Sequence, residues 1–337
     1  MEQKPAVVAP DSFKGTFSAA EAAAAIAAGI REAGGEAIEL PVADGGEGTM
    51  ATLVTALGCE VRQASVSDPL GRPITASYAF LPDGETAIVE MAQASGLARV
   101  APAERDAWSA STYGTGELIA AAARAGARKV IVTVGGSATT DGGAGALEAL
   151  DAAGVEVALE VVCDVRTPWE LAPSTYGPQK GADAETVRRL ERRLDALASR
   201  APSGHDPRGV PMTGAAGGLA GGLWAFRGAE LVPGAAYVLD LVGFEERAAG
   251  AAFVVTGEGR LDEQTLEGKL VAEVASRSRA LGITCYAVVG ELALAAARLG
   301  PLGLAGVSEA TTFAELRSAG ARLAGPSAAA PLRSPSL

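Results

Sequence analysis

Histidine, cysteine and long apolar runs are all scarce in this chain of 337 residues. The one histidine, His205, stands in the loop-like stretch 203–207, which disfavours a histidine-based triad or a histidine-rich metal site. The three cysteines, at 59, 163 and 285, are far apart and form no CxxC pair, so we expect buried thiols rather than a zinc site or a disulfide framework. No apolar stretch approaches the roughly 18 residues that a membrane helix needs.

Positive charge is also in short supply. The formal net charge of −12 disfavours nucleic acid and anionic membrane surfaces as partners. Aromatic residues make up only 4% of the chain, whereas glycine and alanine are abundant, which favours small-residue helices packed on a sheet. With no recognisable signal peptide, we expect a cytoplasmic protein. Because histidine is almost absent, we expect any general base to be a carboxylate or a lysine.

The two ends of the chain share a strand–helix rhythm. Near the N terminus, a strand at 6–9 precedes a helix that begins with a Ser18–Glu21 capping box, and a second strand follows at 37–42. Towards the C terminus, strands at 252–256 and 284–289 flank a helix. This alternation predicts a parallel sheet whose ligand-binding loops follow the strand ends.

The middle of the chain has a different pattern. Short alternating runs at 75–80 and 86–91, separated by turn residues, predict antiparallel hairpins, after which helices and strands alternate again. We therefore predict an α/β fold with two domains. The first is discontinuous and comprises 1–65 and 250–325, the second is an inserted α/β domain at 66–249, and 326–337 form a disordered tail.

The sequence Asp-Gly-Gly occurs twice, at 44–46 and 141–143, each time between a strand-like and a helix-like segment. Glycine permits left-handed backbone and close approach of a ligand, and a helix N terminus offers free N–H groups to an anion. A carboxylate at such a turn can hold Mg²⁺ or accept a proton from a hydroxyl. The repeat therefore indicates an enzyme that handles an anionic substrate, a metal, or both.

Further polar residues follow predicted strands. The glycine-paired loop 135–143 contains Ser137 and Thr139 and is typical of a phosphate-binding turn, although close helix packing is the alternative. The same two readings stay open for 214–222. Neither segment matches a Walker P-loop or a G-x-G-x-x-G fingerprint. Glu258, after the strand at 252–256, is a candidate metal ligand, as is Asp164.

Six ordered motifs together resemble the bacterial glycerate kinase type-1 family over about residues 6 to 310. They are the sequences at 9–15, 43–49, 135–145, 177–182, 214–218 and 256–265. The resemblance implies ATP-dependent phosphorylation of D-glycerate, usually to 2-phosphoglycerate. It also implies two α/β domains, one of them Rossmann-like and discontinuous, with the active site in the cleft between them.

We combine these patterns into expected roles for individual residues. Asp44 or Asp141 is expected to deprotonate the glycerate hydroxyl, with Mg²⁺ as cofactor and Lys14 as a further catalytic group. Alternatives are a non-catalytic sensor of a small hydroxy acid or, with less support, an NAD-dependent oxidoreductase, and a homo-oligomer is left open. The expected substrate-binding residues are Asp11, Ser12, Lys14, Glu47 and Arg260; the expected ATP-binding residues are Gly135, Gly136, Ser137, Thr139, Gly142, Gly143, Gly217, Gly218, Lys180 and Lys269; the expected metal ligands are Glu258 and Asp164.

Overall fold

The computed structural model describes residues 4–13, 15–163, 165–263, 265 and 269–325. Lys14, Asp164 and the predicted tail at 326–337 therefore lie outside the described residues. The strands are β1 (Ala6–Pro10), β2 (Ala37–Glu39), β3 (Glu60–Ser67), β4 (Pro73–Phe80), β5 (Thr86–Glu90), β6 (Lys129–Thr133), β7 (Ala158–Cys163), β8 (Glu230–Pro233), β9 (Val254–Leu261), β10 (Cys285–Leu292) and β11 (Gly306–Glu309).

Helices connect most of these strands. They are α1 (Ala19–Glu32), α2 (Thr49–Leu57), α3 (Ala92–Ser95), α4 (Tyr113–Arg124), α5 (Ala144–Ala153), α6 (Ala172–Tyr176), α7 (Ala184–Ala198), α8 (Leu219–Arg227), α9 (Gly234–Leu241), α10 (Phe244–Ala248), α11 (Leu270–Ala280), α12 (Ala296–Leu299) and α13 (Phe313–Ala324). The predicted capping box begins α1, where the Ser18 hydroxyl accepts from the Glu21 backbone N–H and the Glu21 carboxylate accepts from the Ser18 N–H. No helix in the described ranges is long and apolar enough to cross a membrane.

The chain folds as two compact units. The first unit comprises Met1–Asp44 and Ala235–Leu337, and the second comprises Gly45–Gly234. These limits differ from the predicted ones at 65/66 and 249/250. The first difference arises because β3 pairs along its whole length with β4, which draws the segment before it into the second unit. The second arises because Arg277 on α11 donates to Asp240 and Glu245, which ties α9 and α10 to the first unit.

The first unit contains a five-stranded sheet in the order β11-β10-β9-β1-β2, with every pair parallel. Alternate residues of β10 enter opposite cores: Val288 packs with α1 and α13, whereas Ala287 and Val289 pack with α11. Helices thus cover both faces of this sheet, as the strand–helix alternation predicts. From β1 the chain runs to β2 on one side, while β9 lies on the other side, which makes the β1/β9 boundary a topological switch point.

The second unit contains a six-stranded mixed sheet in the order β3-β4-β5-β6-β7-β8. The β3–β4 and β4–β5 pairs are antiparallel, which confirms the predicted hairpins, and the remaining pairs are parallel. Its core comprises apolar residues of the strands together with α4, α5 and α8. Gly45 and Gly234, the first and last residues of this unit, lie side by side: a Cβ on Gly45 would stand 2.9 Å from the Gly234 Cα.

Candidate functional site

A cavity of about 490 Å³ opens in the first unit at the carboxyl ends of β1, β9 and β10. Ligands of open parallel sheets bind at this edge, beside the switch point in strand order. The sheet topology therefore places the cavity where the fold favours a ligand. The cavity is lined by Asp11, Ser12, Phe13, Thr16, Phe17, Asp44, Glu258, Gly259, Arg260, Asp262, Lys269, Gly290, Glu291, Ala310 and Thr311.

Two aspartates form the buried end of this acidic cavity. Asp11 follows β1 and is 8% exposed, and Asp44 ends the first segment of the unit and is 7% exposed. The Asp11 backbone N–H donates to the Gly257 carbonyl, while its carboxylate accepts from the Ser12 N–H at 2.6 Å. Sequence reasoning placed Asp11, Ser12 and Asp44 in one site, and they do line one cavity.

The carboxyl of Glu258, which lines the cavity, has a strongly raised pKa. It lies on β9, and the Thr265 hydroxyl donates to its Oε1 atom at 2.7 Å. Burial raises the pKa of the Glu258 carboxyl from 4.5 to about 7, against the lowering effects of the Thr265 hydrogen bond and the Lys269 charge; the charges of Asp262 and Asp44 raise it further. This carboxyl can therefore exchange a proton near neutral pH.

Two cations complete the cavity. Lys269 caps the start of α11 and attracts the Glu258 carboxylate. Arg260 is more exposed and lies 3.7 Å from Asp262 and 3.5 Å from Glu291. A small anion bound here would meet both positive groups beside buried carboxylates. Lys269, predicted from the sequence to bind the nucleotide, lines the same cavity as the predicted substrate residues Asp11, Ser12 and Arg260.

The first Asp-Gly-Gly turn divides between the two units after Asp44. Its remainder belongs to the second unit and leads into α2, whose N-terminal N–H groups are already occupied. Glu90, at the end of β5, accepts from the Gly48 N–H and the Met50 N–H, both at 3.0 Å. Burial raises the pKa of this carboxyl, and the two hydrogen bonds oppose that shift. A protein carboxylate thus fills the anion site at this helix N terminus.

The second turn is closed by its own aspartate. Asp141 is 1% exposed, and its Oδ2 atom accepts from the Thr112 N–H, the Thr112 hydroxyl and the Gly145 N–H, while Oδ1 accepts from the Gly143 N–H. These four bonds, between 2.8 and 3.2 Å, join the start of α4 to the start of α5. Asp141 is therefore a buried capping group with both oxygens engaged.

The loop between β6 and this turn retains free donors. Among the described hydrogen bonds, none uses the backbone N–H of Gly135, Gly136 or Ser137. Gly136 has φ of +67° and is exposed, so successive N–H groups can face an anion there. Two backbone bonds, Leu97 N–H to Gly136 O and Ala138 N–H to Ser95 O, fix the loop to its neighbour. Glu47 lies beside it, since a Cβ on Gly136 would come within 2.4 Å of the Glu47 Oε2 atom.

The amine of Lys180 contacts the same loop from the protein interior. This residue ends the 3₁₀ turn Pro178–Lys180 and is 1% exposed. Its Nζ donates to the Ser137 hydroxyl oxygen at 2.7 Å and to the Thr139 carbonyl at 2.6 Å. Burial lowers the pKa of the Lys180 amine from 10.5 to about 7, and the charge of Asp141 opposes that shift.

Four of the glycines predicted to bind ATP pack closely against protein at the position where a side chain would begin. A Cβ on Gly217 would stand 2.0 Å from the Thr139 carbonyl oxygen, and one on Gly218 would stand 2.9 Å from the Gly142 Cα. The Gly142 N–H donates to the Gly217 carbonyl at 3.0 Å, and Gly143 lies against Leu219. Close packing was one of the two interpretations that the sequence left open. At these four positions it accounts for the absence of side chains.

Several contributors were missed from the sequence. Glu90 pairs with Met50, which is 40 residues away in sequence, and Thr112 pairs with Asp141, which is 29 residues away. No local sequence pattern indicates pairs that are so far apart. Glu291 has a readable signal, because it follows Gly290 at the end of β10 as Glu258 follows Gly257 on the paired strand β9. The described residues contain no group of three or more histidine, cysteine or acidic side chains poised around one metal position.

Comparison with known proteins identifies the class. Residues 6–156 and 152–322 match the sequence profile of the glycerate kinase family. The chain is 39% identical to a glycerate kinase of Halalkalibacterium halodurans and 38% identical to the glycerate 2-kinase of Escherichia coli K12, each over 323 residues with 85% of both chains covered. A crystal structure of a candidate glycerate kinase 2 from Salmonella typhimurium LT2 superposes with a TM-score of 0.81 at 34% identity, covering 96% of this chain and 98% of that one.

The chain therefore belongs to the glycerate kinase family, and it is an enzyme of the kinase class. This confirms the family resemblance carried by the six motifs. The structural neighbour likewise confirms the mixed α/β fold.

Proposed function

We propose that this enzyme transfers a phosphoryl group from ATP to D-glycerate and releases 2-phosphoglycerate. The observation that carries the proposal is the acidic cavity of the first unit. It combines two buried aspartates with an arginine and a lysine, in a volume large enough to admit a three-carbon acid. Family membership supplies the reaction class, and the named relatives act on glycerate.

The first unit would bind the acceptor. Arg260 and Lys269 are the described cations of the cavity and would pair with the glycerate carboxylate. We assign the general base to Asp44 rather than to Asp141, because the oxygens of Asp141 already accept four hydrogen bonds. Asp44 would take the proton of the attacking hydroxyl, while Asp11 and Ser12 orient that hydroxyl. The role predicted for Lys14 remains a prediction, since this residue lies outside the described ranges.

The second unit would bind the nucleotide. The N–H groups of Gly135, Gly136 and Ser137 suit phosphate oxygens, because none of them donates to another residue in the part of the chain that the structure describes. We do not assign phosphate contacts to the four packed glycines around 142–143 and 217–218. Phosphoryl transfer depends mainly on alignment and charge neutralisation, so holding the two substrates in line would be the main task of both sets of residues.

Magnesium fits the donor chemistry of the cavity. Mg²⁺ takes oxygen ligands, and proteins often supply only one or two carboxylates, with the substrate phosphates and water completing the shell. Glu258 is such a ligand, and the charge of Asp44 acts on it. A cation at this position would favour the ionised Glu258 carboxylate, whose pKa is raised to about 7 by burial and, to a smaller extent, by the charges of Asp262 and Asp44. When bound, Mg²⁺ would neutralise charge on the phosphates.

The decisive experiment is a coupled assay of ATP consumption with D-glycerate and Mg²⁺, with the product identified by phosphorus NMR. We expect ADP and 2-phosphoglycerate in equal amounts. Two comparison substrates are included. L-glycerate has the opposite stereochemistry, and lactate lacks the terminal hydroxyl. No ATP consumption together with tight D-glycerate binding would favour the sensor alternative, and a fluorescence change with NADH would favour the oxidoreductase.

A further inference from the structure

Lys180 and Ser137 form a buried pair beneath the loop that offers free N–H groups. We infer that Lys180 is a positioning residue, which holds the Ser137 hydroxyl as a hydrogen-bond donor towards the nucleotide phosphates without touching them. The inference rests on the proposed function for the identity of the nucleotide. It assigns to Lys180 a task different from the direct ATP contact predicted from the sequence.

Burial excludes a direct contact in the described conformation. Lys180 is 1% exposed, and its amine donates to the Ser137 hydroxyl oxygen at 2.7 Å and to the Thr139 carbonyl at 2.6 Å. A phosphate would have to displace both bonds and enter the interior to reach the amine. The gap beside Lys180, bordered by residues such as Leu97, Arg105 and Ala138, has no room for a water-sized group.

The direction of the hydrogen bond sets the role of Ser137. An ammonium group has three donors and no acceptor, so the Ser137 oxygen must be the acceptor in their contact. The hydroxyl proton of Ser137 must then point elsewhere, and it donates to no group among the described hydrogen bonds. Together with the N–H groups of residues 135–137, which donate to none of the described residues, it forms a set of donors that suits an anion.

The charged surroundings favour the protonated amine. The negative charge of Asp141 attracts the ammonium group and opposes the effect of burial, which lowers the pKa of the amine. Arg105 and Asp106 border the adjoining gap, and the Tyr176 ring centroid lies 6.0 Å from the amine nitrogen. Binding of a phosphate beyond Ser137 would add negative charge and strengthen the same protonation state.

A double-mutant cycle tests the inference. ATP affinity is measured by calorimetry for the wild type, Lys180→Met, Ser137→Ala and the double variant, with Lys129→Met as a matched control. Lys129 pairs with Glu160 at a partly exposed position of the same unit, so its loss should leave affinity unchanged. We expect each single change at 137 or 180 to weaken ATP binding roughly tenfold, and the double variant to match Ser137→Ala alone.

Three results would overturn the inference. A double variant weakened by the product of the two single effects would mean that Lys180 contacts ATP independently of Ser137. Equal losses for ATP and for adenosine would mean that Lys180 only supports the loop. Absence of any ATP binding by the wild type would remove the site altogether. Turnover with D-glycerate is measured in parallel, so failure of the proposed reaction is separated from failure of the cycle.

A second measurement avoids any change at Lys180, in case Lys180→Met does not fold. Above about pH 7 the amine loses its proton and becomes able to accept the Ser137 hydroxyl proton, which then turns inward. The advantage of the wild type over Ser137→Ala in ATP binding should therefore shrink several-fold between about pH 6 and pH 8. The comparison cancels the titration of ATP itself. A constant advantage across this range would contradict the assigned role.

Discussion

Glu258 should make the first unit less stable as the pH rises. Its carboxyl keeps a proton up to about pH 7 in the folded protein, whereas the ordinary value is 4.5. Between these values the folded state binds more protons than the unfolded chain, so the free energy of unfolding falls with increasing pH and levels off above about pH 7. The difference between the two pKa values, at about 1.4 kcal/mol per pH unit, corresponds to a loss of at most roughly 3 kcal/mol in the free energy of unfolding.

The substitution Glu258→Gln should remove this fall. Glutamine keeps an oxygen that can accept the Thr265 hydroxyl proton, so the local hydrogen bond survives while the ionisable group is lost. At about pH 8 the variant should exceed the wild type in stability by up to roughly 3 kcal/mol, and at about pH 4 the two should converge. The exposed neighbour Glu291, changed to glutamine, provides the control with little expected effect.

The assay must report on the first unit, because all three tryptophans, at 108, 169 and 224, lie in the second. Urea-dependent hydrogen exchange of peptides from β9 and β10, read by mass spectrometry in EDTA, gives the unfolding free energy locally without bound metal. Parallel pH profiles for the wild type and Glu258→Gln would refute the reasoning. They would mean that Glu258 is solvated or paired well enough to ionise at its ordinary pH.

Three further predictions concern the two turn aspartates and a packed glycine. Asp44→Asn should lower kcat by about 10²- to 10⁴-fold with unchanged circular dichroism, so near-normal turnover would remove Asp44 as the base. Asp141→Asn should instead destabilise the second unit by about 2–5 kcal/mol in urea titrations followed by tryptophan fluorescence, because an amide nitrogen would face N–H donors. Gly217→Ala should cost about 3 kcal/mol or more in the same titration, since its Cβ would meet the Thr139 carbonyl at 2.0 Å; an unchanged midpoint would show that the loop gives way.

Local patterns predicted much of the architecture. The Ser18 capping box, the hairpins of the middle segment and the parallel strands near both ends depend on neighbours in sequence, and all three were readable. The position of the cavity could also be predicted approximately, because loops at the carboxyl ends of parallel strands lie at one edge of the sheet. Asp11, Asp44 and Glu258 all follow predicted strands, and all three line this cavity.

Distant partners decided what local patterns could not. The two Asp-Gly-Gly sequences are alike, yet their partners differ. The Thr112 hydroxyl donates to the aspartate of the second sequence, whereas Glu90 caps the helix that follows the first. In the same way, Gly217 lacks a side chain because the Thr139 backbone fills its space. Each distinction depends on a residue far away in the sequence, so a motif alone could not separate a ligand-binding glycine from a packed one.

The contact between Gly45 and Gly234 has a consequence for the history and engineering of the chain. A segment whose two ends touch can be added to a host fold, or removed from it, at one surface point without stretching either part. Residues 45–234 should therefore be expressible as an autonomous protein. The remaining halves should accept a short glycine-serine linker between Asp44 and Ala235, which would allow the first unit to be studied by itself.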